Sequence, residues 1–139
     1  MRLITILIVI TSIFVCESCK EESISNPVNN NDIILVKAQV DLQSGFSGKV
    51  VTIRFNKESV YHSILSNVVS LAGPEATFIT YIPKGENNLF VYTQNPNLPS
   101  EYFIDSAIVN IGDKEKYFLG LQIADSLICI VQDSSFLYM

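Results

Sequence analysis

From Ile33 onward the chain is written in short apolar runs of period two, broken by Gly, Pro and Asn, and that rhythm restricts it to strands. Ile34, Val36, Ala38, Val40 and Leu42 alternate with Leu35, Lys37, Gln39 and Asp41, as a strand with one buried face requires. Gln43 to Gly48 is a turn around Phe46, after which Val51, Ile53 and Phe55 point inward and Thr52 and Arg54 outward. Asn56-Lys57-Glu58 reads as a hairpin turn into Ser59 to Leu65, and Val68 to Leu71 as a short or sheet-switching strand closed by Ala72-Gly73-Pro74. Thr77 to Ile82 is apolar on both parities, which predicts a central strand covered on both sides.

Pro83 to Asn87 is a turn by composition, and Leu89 to Thr93 the strand returning from it. Gln94 to Ser100 holds two Pro and two Asn and reads as the longest loop of the domain. Tyr102 to Ile111 follows as a strand with room for a break at Asp105-Ser106, and Gly112 to Glu115 leads into Lys116 to Ala124. A two-residue turn at Asp125-Ser126 would pair Ile123 with Ile128 and Leu121 with Ile130. Ser134 to Met139 is expected to add an edge strand through Phe136 and Tyr138. With no helical period and no internal repeat, the expectation is one antiparallel β-sandwich of seven to nine strands over residues 33–139. Residues Tyr81 to Val91 resemble the corner of transthyretin-like and other immunoglobulin-like sandwiches, in which a proline and a glycine precede an alternating strand. That resemblance implies an architecture and no activity.

The chain ahead of this domain reads differently. Arg2 precedes the uncharged run Leu3 to Val15, which is shorter than the about 20 apolar residues of a spanning helix and has the length of a secretory h-region. Cys16 and Cys19 follow at once, where a lipoprotein signal places its acylated cysteine. Ser18 before Cys19 favours processing there over Cys16, which follows the bulky Val15, although Cys16 and Glu17 are unusual in such a signal. The expected division is a signal peptide at 1–18, a lipidated polar linker at 19–32 and the sandwich at 33–139.

Cys19-Lys20-Glu21-Glu22 resembles the export signal of surface lipoproteins of the Bacteroidota, where a Lys and two acids follow the lipidated Cys. The resemblance implies a lipid anchor in the outer membrane and display on the cell surface; without it the expected place is the periplasmic face. Cys16 and Cys19 could also be read as a redox or zinc pair, but the partners such a pair needs are missing from the sequence. The linker's Asn29 to Asp32 lacks the ligand spacing of a calcium loop.

Chemistry is sparsely supplied. The net charge of -5 gives no electrostatic reason to bind nucleic acid. His62 is the only histidine, and it shares parity with Val60 and Ile64, the setting of a hydrogen-bonded structural residue. Cys129 lies within an apolar strand and reads as a small hydrophobe. Asp105, Asp125 and Asp133 fall at expected turns or strand ends, leaving a two-carboxylate hydrolase as a disfavoured alternative. No catalytic residue, metal site or cofactor is expected. Tyr92 and Tyr102 are the candidate binding surface: Tyr92 alternates away from the inward Leu89 and Val91, and Tyr102 follows the Pro-rich segment. The expected function is a non-enzymatic, envelope-tethered binding or accessory module, with a protein partner favoured over a glycan; the alternative is a structural subunit of an outer-membrane assembly.

The anchor is open to direct test. Metabolic labelling with an alkyne fatty acid is expected to mark the wild-type chain and the Cys16→Ala variant but not Cys19→Ala. Replacing Lys20, Glu21 and Glu22 by Ala is expected to protect the domain from protease added to whole cells.

Overall fold

The computed structural model describes residues 32–67 and 72–138. Eight strands follow in order: β1 (Leu35–Ser44), β2 (Val50–Phe55), β3 (Glu58–Ile64), β4 (Ala76–Pro83), β5 (Gly85–Asn95), β6 (Leu98–Ile111), β7 (Lys116–Ile123) and β8 (Leu127–Gln132). They form two four-stranded sheets, ordered β4-β1-β7-β8 and β3-β2-β5-β6, which makes the domain a β-sandwich. Every pairing is antiparallel except β1 with β7, which run parallel. The immunoglobulin order, in which the first two strands are neighbours, is excluded because β1 and β2 lie in opposite sheets. The transthyretin-like alternative remains. The segment Val68 to Leu71, expected to be a strand or sheet switch, lies outside the described residues.

The core is the sum of the inward parities. Val36, Ala38, Val40 and Leu42 of β1, Val51, Ile53 and Phe55 of β2, Leu89 and Val91 of β5, and Leu119 and Leu121 of β7 are buried together. Phe46, on the turn after β1, is fully buried as well. Each such Val, Leu, Ile or Phe side chain contributes about 1.5–3 kcal/mol on leaving water, so burial of the period-two apolar faces is the main force holding the sheets face to face.

Several expectations are corrected. β4 is an edge strand and not a central one: only its inward Phe78 and Ile82 are covered, while Ile79 and Tyr81 stand exposed on the outer face. Apolar residues on both parities here reflect an open sheet face, which sequence cannot tell from a second covering layer. Leu89 to Thr93 does not return along β4, because β5 enters the other sheet and pairs with β2 and β6. The expected loop Gln94 to Ser100 is a tight hairpin: Asn95 pairs with Leu98, and the Asn97 N–H donates to Asn95 Oδ1 at 3.0 Å. Pro99 is tolerated inside β6 because β6 is an edge.

A further correction is the register of the last hairpin. Ala124 to Ser126 makes a three-residue turn, so Leu121 faces Cys129 and Ile123 faces Leu127, while Ile128 and Ile130 point outward. Both parities of β8 are apolar, so alternation alone did not select a face. The described residues after Gln132 add no strand. Tyr138 instead crosses the outer face of β1, where its hydroxyl donates to Asp41 Oδ2 at 2.7 Å. Phe136 packs over Gly120, where any Cβ would meet its ring at 2.8 Å. Asp41, read from sequence as solvated, is only 2% exposed, and it also accepts from Thr77 Oγ1 (2.9 Å) and Gln39 Nε2 (3.2 Å). Burial, with the Asp41 carboxylate, pushes the Tyr138 phenol up to about 12, so it remains a donor at neutral pH.

The change of sheet between β4 and β5 turns on Asn87, which is fully buried. Its Nδ2 donates to Pro83 O (2.7 Å) and Gly85 O (3.0 Å), and its Oδ1 accepts from Asn56 Nδ2 at 3.0 Å. Asn56 in turn accepts the Asn88 N–H, tying the β2–β3 turn to the corner. Gly85 has φ of 103°, which a side chain would strain. Replacing Asn87 by Ala removes three part-buried hydrogen bonds and empties a fully buried position, so a loss on the order of 3 kcal/mol is expected in urea unfolding. The exposed Asn97→Ala is expected to change stability by less than about 0.5 kcal/mol.

Candidate functional site

The outer face of the β3-β2-β5-β6 sheet carries the residues that sequence singled out. On β5, Leu89, Val91 and Thr93 are buried, which by alternation turns Phe90, Tyr92 and Gln94 outward. On β6 the same logic turns Tyr102, Ile104, Ser106 and Ile108 outward. Gln94 faces Tyr102 and Tyr92 faces Ile104, so the two tyrosines are diagonal neighbours across the pair. Their rings stack at a centroid distance of 6.5 Å and 27° between planes, an arrangement worth about 0.5–1.5 kcal/mol beyond area burial.

This pair sits in a wider patch. Tyr102 is 62% exposed, Ile104 52% and Ile108 63%, a row of uncovered large side chains along one strand. The patch continues toward β2 and β3, where Thr52 faces Tyr92 on one side and His62 on the other. His62 is exposed, and its Nδ1 shares a hydrogen bond with Thr52 Oγ1 at 2.8 Å. It is hydrogen-bonded as expected, although on the open face and not packed. Arg54, also exposed, faces Phe90. Sequence reading missed Ile104, Ile108 and Arg54; the even parity running from Tyr102 to Ile108 was the signal that could have found the first two.

Beside Tyr102, at the end of the sandwich, lies a polar cleft of about 520 Å³ lined chiefly by Ser47, Lys49, Asn67, Asn95, Asn97 and Glu101. Glu101 Oε2 accepts from Asn95 Nδ2 at 3.0 Å, and the Lys49 ammonium donates to Gly45 O at 2.7 Å. The cleft thus offers amides and a carboxylate held in place by one another, next to an aromatic ring. Such groups suit hydrogen bonding to a neutral polar ligand.

The remaining expected residues are dispersed. Cys16, Cys19, Lys20, Glu21 and Glu22 lie outside the described residues. Asp105 is not at a strand end: it lies in the middle of an unbroken β6, where Oδ1 accepts the Ser106 N–H (2.8 Å) and Oδ2 the Leu127 N–H (2.9 Å). It thereby fastens the start of β8 to the opposite sheet. Asp125 is exposed at the last turn, and Asp133 pairs with Lys114 at 3.3 Å. Burial pushes the Cys129 thiol up to about 11, which keeps it a neutral, apolar contact. Among the described residues no group of three or more His, Cys, Asp or Glu side chains is placed to hold a metal, and no helix is long and apolar enough to cross a membrane.

The two backbone donors, Leu127 first and Ser106 second, hold the Asp105 carboxyl below its ordinary 3.8. A carboxylate with a lowered folded-state pKa contributes stability above its unfolded value, and that contribution is lost as pH falls through the folded one. The gap in melting temperature between wild type and Asp105→Asn is therefore expected to be full at about pH 6 and to narrow as pH falls below 3.8; parallel curves across that window would contradict the role given to Asp105. Compared with known proteins, the chain matches no family model, no curated protein and no solved structure.

Proposed function

We propose that this chain is a non-enzymatic binding or accessory module, held at the outer membrane by a lipid on Cys19 and displayed at the cell surface, that engages a protein partner through the outer face of the β3-β2-β5-β6 sheet. The observation that carries the binding face is the stacked pair Tyr92 and Tyr102, continuous with the uncovered Ile104 and Ile108. Rigid aromatic rings beside aliphatic side chains give a large contact area at small cost in conformational entropy, the usual composition of an interface centre. Exposed Arg54 and His62 supply polar groups around it. The anchor rests on the sequence of residues 1–22, and the polar linker gives the domain reach from the membrane.

A second reading, binding of a glycan, is favoured by the cleft beside Tyr102, where Asn67, Asn95, Asn97 and Glu101 could meet hydroxyls while the ring stacks on a sugar face. Site-specific photocrosslinking in whole cells separates the two. A crosslinking amino acid at position 104 is expected to capture an envelope protein, while one at the exposed position 113 in the β6–β7 turn is expected to capture none. Adducts of equal yield at both positions, or none at 104, would overturn the partner face. Capture at 104 that disappears in Tyr92→Ala/Tyr102→Ala would tie it to the aromatic pair. Loss of binding to an arrayed envelope glycan on Asn97→Ala/Glu101→Ala, with crosslinking at 104 absent, would select the glycan reading.

A further inference from the structure

We propose that the free edge of β4, with the groove beside it, takes an extended, uncharged segment of another polypeptide by strand addition. The site is separate from the Tyr92 and Tyr102 face and stands or falls without it. Among the described residues β4 pairs with β1 on one side and with nothing on the other, leaving a row of backbone N–H and C=O groups for a ladder.

Edges are ordinarily guarded, and here the guards are unequal. β6 carries Pro99, Glu101 and Asp105; β3 opens on Glu58 and is bulged against β2; β8 is fastened to β6 by the Asp105 bond to Leu127. β4, reading Ala-Thr-Phe-Ile-Thr-Tyr-Ile-Pro from Ala76 to Pro83, has no charge, no bulge and Pro only at its last position. It is the edge among the four on which nothing discourages pairing.

The sandwich is also open beside this edge. The gap between β3 and β4 is bridged by Tyr61 stacked on Phe78 at 4.5 Å. A groove of about 730 Å³ lies between the start of β1, the β2–β3 hairpin and the end of β4, lined by Ile33, Leu35, Phe55, Val60, Tyr81 and Pro83. That volume is in the range of sites that enclose side chains of a ligand. Lys57 and Glu58 at its mouth have opposite charges and prefer no net sign.

Backbone pairing plus an apolar slot selects the occupant. A second copy offering its own β4 pairs backbone to backbone but leaves the groove empty, because its inward Phe78 and Ile82 are already committed to its own core. A segment free on both faces satisfies both features: its backbone adds to β4 while alternate side chains enter the groove. The occupant is therefore an extended segment with small apolar residues at every second position and no charges.

The test uses the full-length chain in detergent micelles and a fluorescent peptide, acetyl-Ser-Val-Thr-Val-Ser-Val-amide. Saturable binding is expected in fluorescence anisotropy, with slowed amide exchange confined to peptides covering residues 76–83. Tyr81→Lys should weaken binding about tenfold or more without changing the melting temperature, because Tyr81 is exposed. Tyr92→Ala/Tyr102→Ala should leave it unchanged. An analogue N-methylated at alternate residues keeps its side chains but cannot form the ladder, and equal binding by it would overturn strand addition. So would absence of binding at millimolar peptide, protection elsewhere, or a concentration-dependent dimer lost in Tyr81→Lys, which would assign the edge to a second copy.

Discussion

The passage of the chain from one sheet to the other depends on one buried amide. Asn87 sits where the chain leaves the β4-β1-β7-β8 sheet for the β3-β2-β5-β6 sheet, and it satisfies two carbonyls of the corner and a side chain of the β2–β3 turn at once. Buried without partners, an amide would cost several kcal/mol; satisfied, it fixes which backbone groups meet at the corner. The groove beside β4 opens directly from this corner, since Phe55, Asn56 and Pro83 border both. One polar network thus organises the fold and shapes a surface feature.

Closure of the sandwich is unequal on its two sides. Beside β6 and β8 the Asp105 carboxylate bridges from one sheet to the backbone of the other, and the charge that makes this bond strong also guards the edge. Beside β3 and β4 the bridge is apolar, the Tyr61 and Phe78 stack. The outer faces differ as well. The β4-β1-β7-β8 face is crossed by the C-terminal segment, whose Tyr138 covers Asp41; the β3-β2-β5-β6 face keeps Tyr102, Ile104 and Ile108 in solvent. Sequence treated the two faces alike, because a covering segment without strand pattern leaves no trace in alternation.

Much of the fold was legible because burial in a sheet is periodic. The inward residues of β1 and β2 are those the alternation named, except Ile34, which precedes β1 and is exposed, and the Asn56 turn lies where polar composition placed it. Reading failed where both parities are apolar or where turn residues lie within strands. Thr77 to Ile82 became an edge, Leu127 to Gln132 shifted register by one, and the proline-rich segment after Gln94 became a hairpin continued by β6. In each case neighbours distant in sequence, such as Asp105 against Leu127, decided what local pattern left open.

For the candidate site, alternation alone turned Tyr92 outward, and its position after the prolines marked Tyr102. That the two rings meet is a fact of register: only the pairing of Gln94 with Tyr102 makes them diagonal neighbours. Asp41 and Asn87 show the same division more sharply. Alternation put Asp41 on a polar face and composition put Asn87 in a turn, and tertiary structure buried both, because a polar side chain leaves water only when the rest of the chain brings it partners, and those partners lie up to 97 residues away. Strand character, inward faces and the all-β class were written locally, since they follow from the two-residue repeat of the extended backbone. Sheet order, register, edges and buried polar networks were settled only by the folded whole, since each is a relation between strands that no single strand contains.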